Sequence, residues 1–128
     1  MSTHPNAILM AVLTPEGLAR KTLKAIVEEY PDKNSDGEFD YESVRVPGLD
    51  GIGEAFHCKV MEDSYDEDNQ ISAEEGDLVF HYLVTYGYGE FISWSDLEHK
   101  KTLLETWAGA VSEKHHCSYE IRVSANYW

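Results

Sequence analysis

Positive charge is what this chain has least of. Its 128 residues carry 10 Lys+Arg against 24 Asp+Glu, a formal net charge of −14. Such a surface repels phosphate, which excludes direct binding to DNA, RNA or an anionic membrane. Long apolar runs are missing as well. The longest, Ala7 to Leu13, falls far short of the roughly 18 residues that a membrane-crossing helix needs. The N-terminus lacks the basic segment and extended apolar stretch of a secretory signal, so a soluble, cytoplasmic protein is expected. Cysteine is scarce: Cys58 and Cys117 allow at most one disulfide, and in a reducing compartment both are expected to be buried thiols. No pair of residues shows the Cys-x₂-Cys or His-x₃-His spacing of zinc sites. No glycine-rich phosphate loop is present either, because Gly48 to Gly53 contains Asp50 and no lysine.

What is present suffices for one folded domain over residues 1–128. Hydrophobic residues make up 42% and aromatics 12%, the balance of an ordinary globular protein rather than a disordered one. The charge is unevenly distributed. Between Glu28 and Asp77 stand seventeen acids and three bases, whereas the rest of the chain holds seven of each. The whole surplus therefore belongs to one central segment. Solubility needs a net charge of only about 2 to 8, and mutual repulsion opposes compaction, so the concentration calls for a local reason.

Apolar periodicity outlines the elements. Ala7 to Leu13 reads as a strand buried on both faces. Thr14 and Pro15 suit the cap and first position of a helix in which Leu18, Thr22, Leu23, Ile26, Val27 and Tyr30 share a face, with Arg20, Lys21 and Lys24 turned to water. Phe39 to Val46 reads as a strand whose period slips between Tyr41 and Val44, the mark of an edge bulge. Glu54 to Glu62 alternates, with Phe56, Cys58 and Val60 inward. Leu78 to Tyr86 is apolar on both faces and is the expected central strand; Phe91 to Trp94 resumes as a short one. Ser95 and Glu98 form a capping box before a helix reaching about Lys114, and Cys117 to Tyr127 alternates as a last strand. The order β-α-β-β-β-β-α-β predicts an α+β fold: a ferredoxin-like sandwich variant, its sheet antiparallel or mixed, with two helices on one face and an added hairpin.

Two acidic stretches imitate calcium loops. Residues 32–43 place oxygen side chains at positions 1, 3, 5 and 9 and Gly37 at position 6, but Ser43 replaces the bidentate Glu; residues 64–75 carry Asp66, Asp68, Gln70 and Glu75 in register but lack the expected Gly. Neither motif is complete. Thiol catalysis by Cys58 or Cys117 would need an exposed, low-pKa sulfur, whereas pattern puts both in the core, where at most these two could meet. The carboxylates cluster with Ser, Asn, Gln and Gly in loops, not in a cleft that would tune their acidity. Tyr86, Tyr88, Tyr127 and Trp128, at ends and turns, are candidate anchors for a partner protein.

The expected function is therefore non-enzymatic: an acidic inhibitor that sets carboxylates against a basic, nucleic-acid-binding groove of another protein. DNA-mimicking anti-CRISPR or anti-restriction factors and nuclease immunity proteins work in this way, an analogy of type. The contact residues expected are Asp36, Glu38, Asp40, Glu62, Asp63, Asp66, Glu67, Asp68, Glu74 and Glu75, all taken to face solvent and to converge on one patch. The alternatives are a calcium-binding or calcium-stabilised interaction module using loops 32–43 and 64–75, and a small ferredoxin-like enzyme with a site under the sheet. No cofactor or metal is assigned.

Overall fold

The computed structural model describes residues 5–33, 39–49, 55–67, 71–83 and 94–127. In chain order the elements are β1 (Pro5–Pro15), α1 (Ala19–Glu29), β2 (Pro31–Lys33), β3 (Phe39–Val44), β4 (Phe56–Val60), β5 (Tyr65–Asp66), β6 (Ile71–Ser72), β7 (Leu78–Leu83), α2 (Trp94–His115) and β8 (Cys117–Tyr127). Six strands form one sheet in the order β2-β3-β4-β7-β1-β8, and every neighbouring pair is antiparallel. The fold is thus α+β with an antiparallel sheet, without the mixed pairing that the sequence left open. β5 and β6 pair separately as a small hairpin.

The apolar run of β1 is buried on both faces, as expected: Ile8 to Leu13 are each at most 4% exposed. Alternation splits them between two cores. Leu9, Ala11 and Leu13 join Ile26, Val27, Phe56, Cys58, Leu78, Phe80, Leu104, Trp107 and Val111 beneath the helices. Ile8, Met10 and Val12 face the other way and meet Val79, Met61 and Ile71. The second core is closed by the segment carrying β5 and β6, which lies over the sheet face opposite the helices. In the helical layer Trp107 takes Phe80 and Tyr30 edge-on, with ring centroids 5.2 and 5.5 Å away. The C-terminal ends of the two helices are tied where Lys114 donates to Glu29 Oε2 at 2.7 Å.

Several boundaries differ from expectation. Thr14 does not cap a helix: β1 continues to Pro15, and Leu18 precedes α1 with no side-chain cap. The eleven-residue pairing of β1 with β8 outcompetes the local capping signal, since each added ladder position satisfies further backbone groups. β3 stops at Val44 rather than Val46, and β4 covers only Phe56–Val60. The bulge is there, between Pro31 and Asp32 where β2 pairs with β3, but the sheet edge is β2, a three-residue strand without an apolar period. Ser95 falls inside the first turn of α2, which starts at Trp94. Of the expected strand from Leu78 to Tyr86, Leu78–Leu83 is central, paired with β4 and β1, and residues 84–86 lie outside the described residues; of the short strand expected from Phe91 to Trp94, residues 91–93 lie outside them and Trp94 opens α2 instead. Cys58 and Cys117 cannot meet, because β7 and β1 stand between their strands, a separation of about 14 Å at ordinary strand spacing.

Candidate acidic face

Across the sheet, register aligns side chains in rows. On the face away from the helices one row runs His57, His81, Met10, Arg122 and the next Lys59, Val79, Val12, Glu120. The rows are polar on β4, at His81 of β7 and on β8, and apolar at Met10, Val12 and Val79 between them, and that pattern receives the acidic segment. Met61 and Ile71, each 1% exposed, drop onto the apolar middle with Ala73 beside them. Lys59 Nζ reaches Asp66 Oδ2 at 2.9 Å along the β4 side. Arg122 Nη1 donates to the Ser72 carbonyl at 2.7 Å along the β8 side. At the base, Thr14 Oγ1 donates to Asp77 Oδ1 at 2.8 Å and the Glu74 amide to Asp77 Oδ2 at 3.0 Å. A two-strand, four-residue hairpin is not stable alone in water; an apolar plug and flanking cations hold this one. Thr14→Val, which removes one of these bonds, is expected to cost about 1 kcal/mol, measured as a lowered thermal midpoint with the sheet unchanged.

The expected contact residues divide accordingly. Glu62, Asp63, Glu67, Glu74 and Glu75 are exposed and belong to this one layer. Asp66 does not face solvent: it is 8% exposed and bound to Lys59, because β-pairing with Ile71 turns its carboxylate inward. Asp40 lies opposite Asp32 on β3, but its side chain, and Asp36, Glu38 and Asp68 altogether, lie outside the described residues, as do Tyr86, Tyr88, Trp128 and the side chain of Tyr127. The seventeen acids do not form a single patch. Glu28 and Glu29 end α1 on the opposite, helical layer, Asp32 Oδ1 accepts from Arg45 Nε at 2.9 Å, and Asp77 is enclosed in the hairpin base. The two helices contribute six acids and six bases, whereas the described residues 62–67 and 71–77 bring seven acids to the other face, against Lys59 and Arg122 of the sheet beneath them. One face is therefore anionic and the other balanced.

An open groove of about 1300 Å³ runs where this layer meets α1, lined by Arg20, Lys24, His57, Lys59, Asp66 and His81 among others. Arg20 is not merely turned to water; its guanidinium meets Glu62 across the groove at 3.1 Å. His57 and His81 stand side by side, with ring centroids 5.5 Å apart. Burial, and then the neighbouring His57, push the His81 imidazole down to about 4, so it is neutral at pH 7. The groove is open to solvent.

The calcium-loop residues Asp32 and Asp66 are engaged by Arg45 and Lys59, and the second loop is flanked by strands, not helices. Among the described residues no group of three or more His, Cys, Asp or Glu is arranged to hold a metal ion. Burial raises the Cys117 thiol pKa, with nearby Glu16 adding to the effect, the opposite of an activated nucleophile. Sequence reasoning missed Lys59, His81, Thr14 and Arg122. The signal was present in part: a Lys in a short half-buried strand and a His within an otherwise apolar one each need a partner.

No helix among the described residues is long and apolar enough to cross a membrane. No protein-family model matches the chain, and no curated protein and no solved structure matches it.

Proposed function

We propose that this protein is a non-enzymatic binding module that presents its acidic hairpin layer to a basic, nucleic-acid-binding surface of a partner protein and competes there by charge, as a nucleic-acid mimic does. The observation that carries the reading is the asymmetry: Glu62, Asp63, Glu67, Glu74 and Glu75 are exposed on one layer, anchored by Ile71 and Met61, while the helical layer is balanced. An anchored set of carboxylates speeds association with a cationic groove and fixes its orientation. The scaffold fits a ferredoxin-like variant, with β8-β1-β7-β4 as the four-stranded frame and β2-β3 as the hairpin added beside β4.

Capture of basic nucleic-acid-binding proteins at low and high salt tests the proposal. Binding is expected to be strong at low ionic strength and to weaken steeply as salt screens the carboxylates. The triple variant Glu67→Lys, Glu74→Lys, Glu75→Lys is expected to abolish capture while its melting curve stays close to that of the parent, since exposed substitutions usually change stability by about 0.5 kcal/mol or less each. Asp66 is left untouched, because reversing it would place like charge beside Lys59 and unfold the layer. Absence of capture at every ionic strength, or capture indifferent to the reversal, overturns the reading.

A further inference from the structure

β8 is eleven residues long, bonded to β1 on one side and, among the described residues, forming the end of the sheet on the other. Natural sheets blunt such edges with proline, bulges or short strands, as β2 does here with three residues, Pro31 and a bulge. β8 has none of these, and among the described residues it carries two of the five large exposed apolar side chains, Tyr119 at 43% and Val123 at 46%. From the geometry we infer that β8 is a self-association edge, pairing antiparallel with β8 of a second copy of this chain about a two-fold axis at Ile121.

The register follows from the side chains. In an antiparallel self-pairing centred on residue 121, Tyr119 faces Val123 of the second copy and Glu120 faces its Arg122. The first is an aromatic–β-branched pair and the second an opposite-charge pair, the two kinds that stabilise cross-strand neighbours. Each occurs twice by symmetry, as an isologous interface demands. Moving the centre by one residue sets Glu120 against Glu120 or Arg122 against Arg122, so charge favours this register over both of its neighbours. Tyr119, Ile121 and Val123 lie on the helical face, in line with Leu13, Ala11 and Leu9, and the two exposed apolar residues cover each other across the axis. Glu120 and Arg122, already 2.9 Å apart within one chain, become an alternating square of four charges on the other face. The axis stands perpendicular to the sheet, so both acidic layers lie on the same side of one continuous sheet. The inference does not depend on what the acidic layer binds.

Sedimentation equilibrium of the full chain is expected to give twice 14.5 kDa across the micromolar range. Val123→Lys and Glu120→Lys, both at exposed positions, are each expected to return the mass to 14.5 kDa while leaving the far-ultraviolet dichroism spectrum unchanged. Hydrogen exchange on the unaltered protein gives an independent reading: amides on the outer side of β8 are expected to be protected at high concentration and to lose protection on dilution. A monomer at every concentration overturns the inference. So does a dimer that both lysine variants leave intact, or an outer edge of β8 whose amides exchange freely in the associated protein.

Discussion

Ile71→Ala is expected to destabilise the protein by about 2–5 kcal/mol, the range for truncating a buried aliphatic side chain to alanine. The loss should be unevenly spread. Ile71 is 1% exposed and packs with Met61 and Val79 over Ile8, Met10 and Val12, whereas the hairpin it belongs to has only two paired positions, Tyr65 with Ser72 and Asp66 with Ile71. Most of what orders residues 61–77 is thus packing onto the sheet rather than their own ladder. Removing the plug leaves a cavity and an acidic segment whose mutual repulsion favours release. Native-state hydrogen exchange should show the amides of Met61, Ala73 and Gly76, bonded to Asp77, Ser64 and Met61 respectively, losing protection before those of β1 and β7. The proposed charge-driven capture should weaken although no carboxylate is altered. A loss below about 1 kcal/mol, or hairpin protection equal to that of the parent, would show that the layer is held by its ion pairs instead.

Acid should destabilise the fold through His81, by about 3 kcal/mol between pH 6.5 and pH 4. The imidazole is 9% exposed and lowered from 6.5 to about 4 by burial first and by His57 second, with Lys59 acting in the same direction and Asp66 against it. The sign follows from proton uptake. Between pH 6.5 and 4 the unfolded chain binds the proton and the native state does not, so unfolding is favoured as pH falls through that window. The contribution is fully present above pH 6.5 and is lost progressively down to about 4. His81→Phe keeps a planar ring beside Met10 and removes the titration. Denaturant unfolding at pH 7 and pH 4 measures the difference: the parent should lose about 3 kcal/mol more than the variant, while the carboxylates common to both cancel. Equal losses would place the acid sensitivity elsewhere.

Much of the fold was legible because burial imposes a period on sequence. Cys117 to Tyr127 announced a strand and the Leu18 to Tyr30 and Leu97 to Val111 stripes announced helices, since one buried face leaves a repeat of two or of 3.6, while Ala7 to Leu13 and Leu78 to Tyr86 announced strands as unbroken apolar runs, the trace of burial on both faces. β2, β5 and β6 were invisible for the same reason: two or three residues cannot display a period. Thr14 misled because its composition favours a cap while a partner 104 residues away, Ser118, draws it into the ladder.

The sequence by itself determined that the charge surplus is confined to Glu28 to Asp77 and that these strands and helices build an α+β fold. It did not determine which carboxylates stay in water. Asp66 and Glu67 are neighbours of the same chemical type, yet one is buried against Lys59 and the other exposed. Only the folding of the hairpin onto the sheet decides between them, because the pairing of Asp66 with Ile71 that turns it inward spans too few residues to leave a periodic trace in the chain. The tertiary structure likewise sent Glu28 and Glu29 to one layer and Glu62 to Glu75 to the other, since a sheet buried on both faces separates whatever is attached to its two sides.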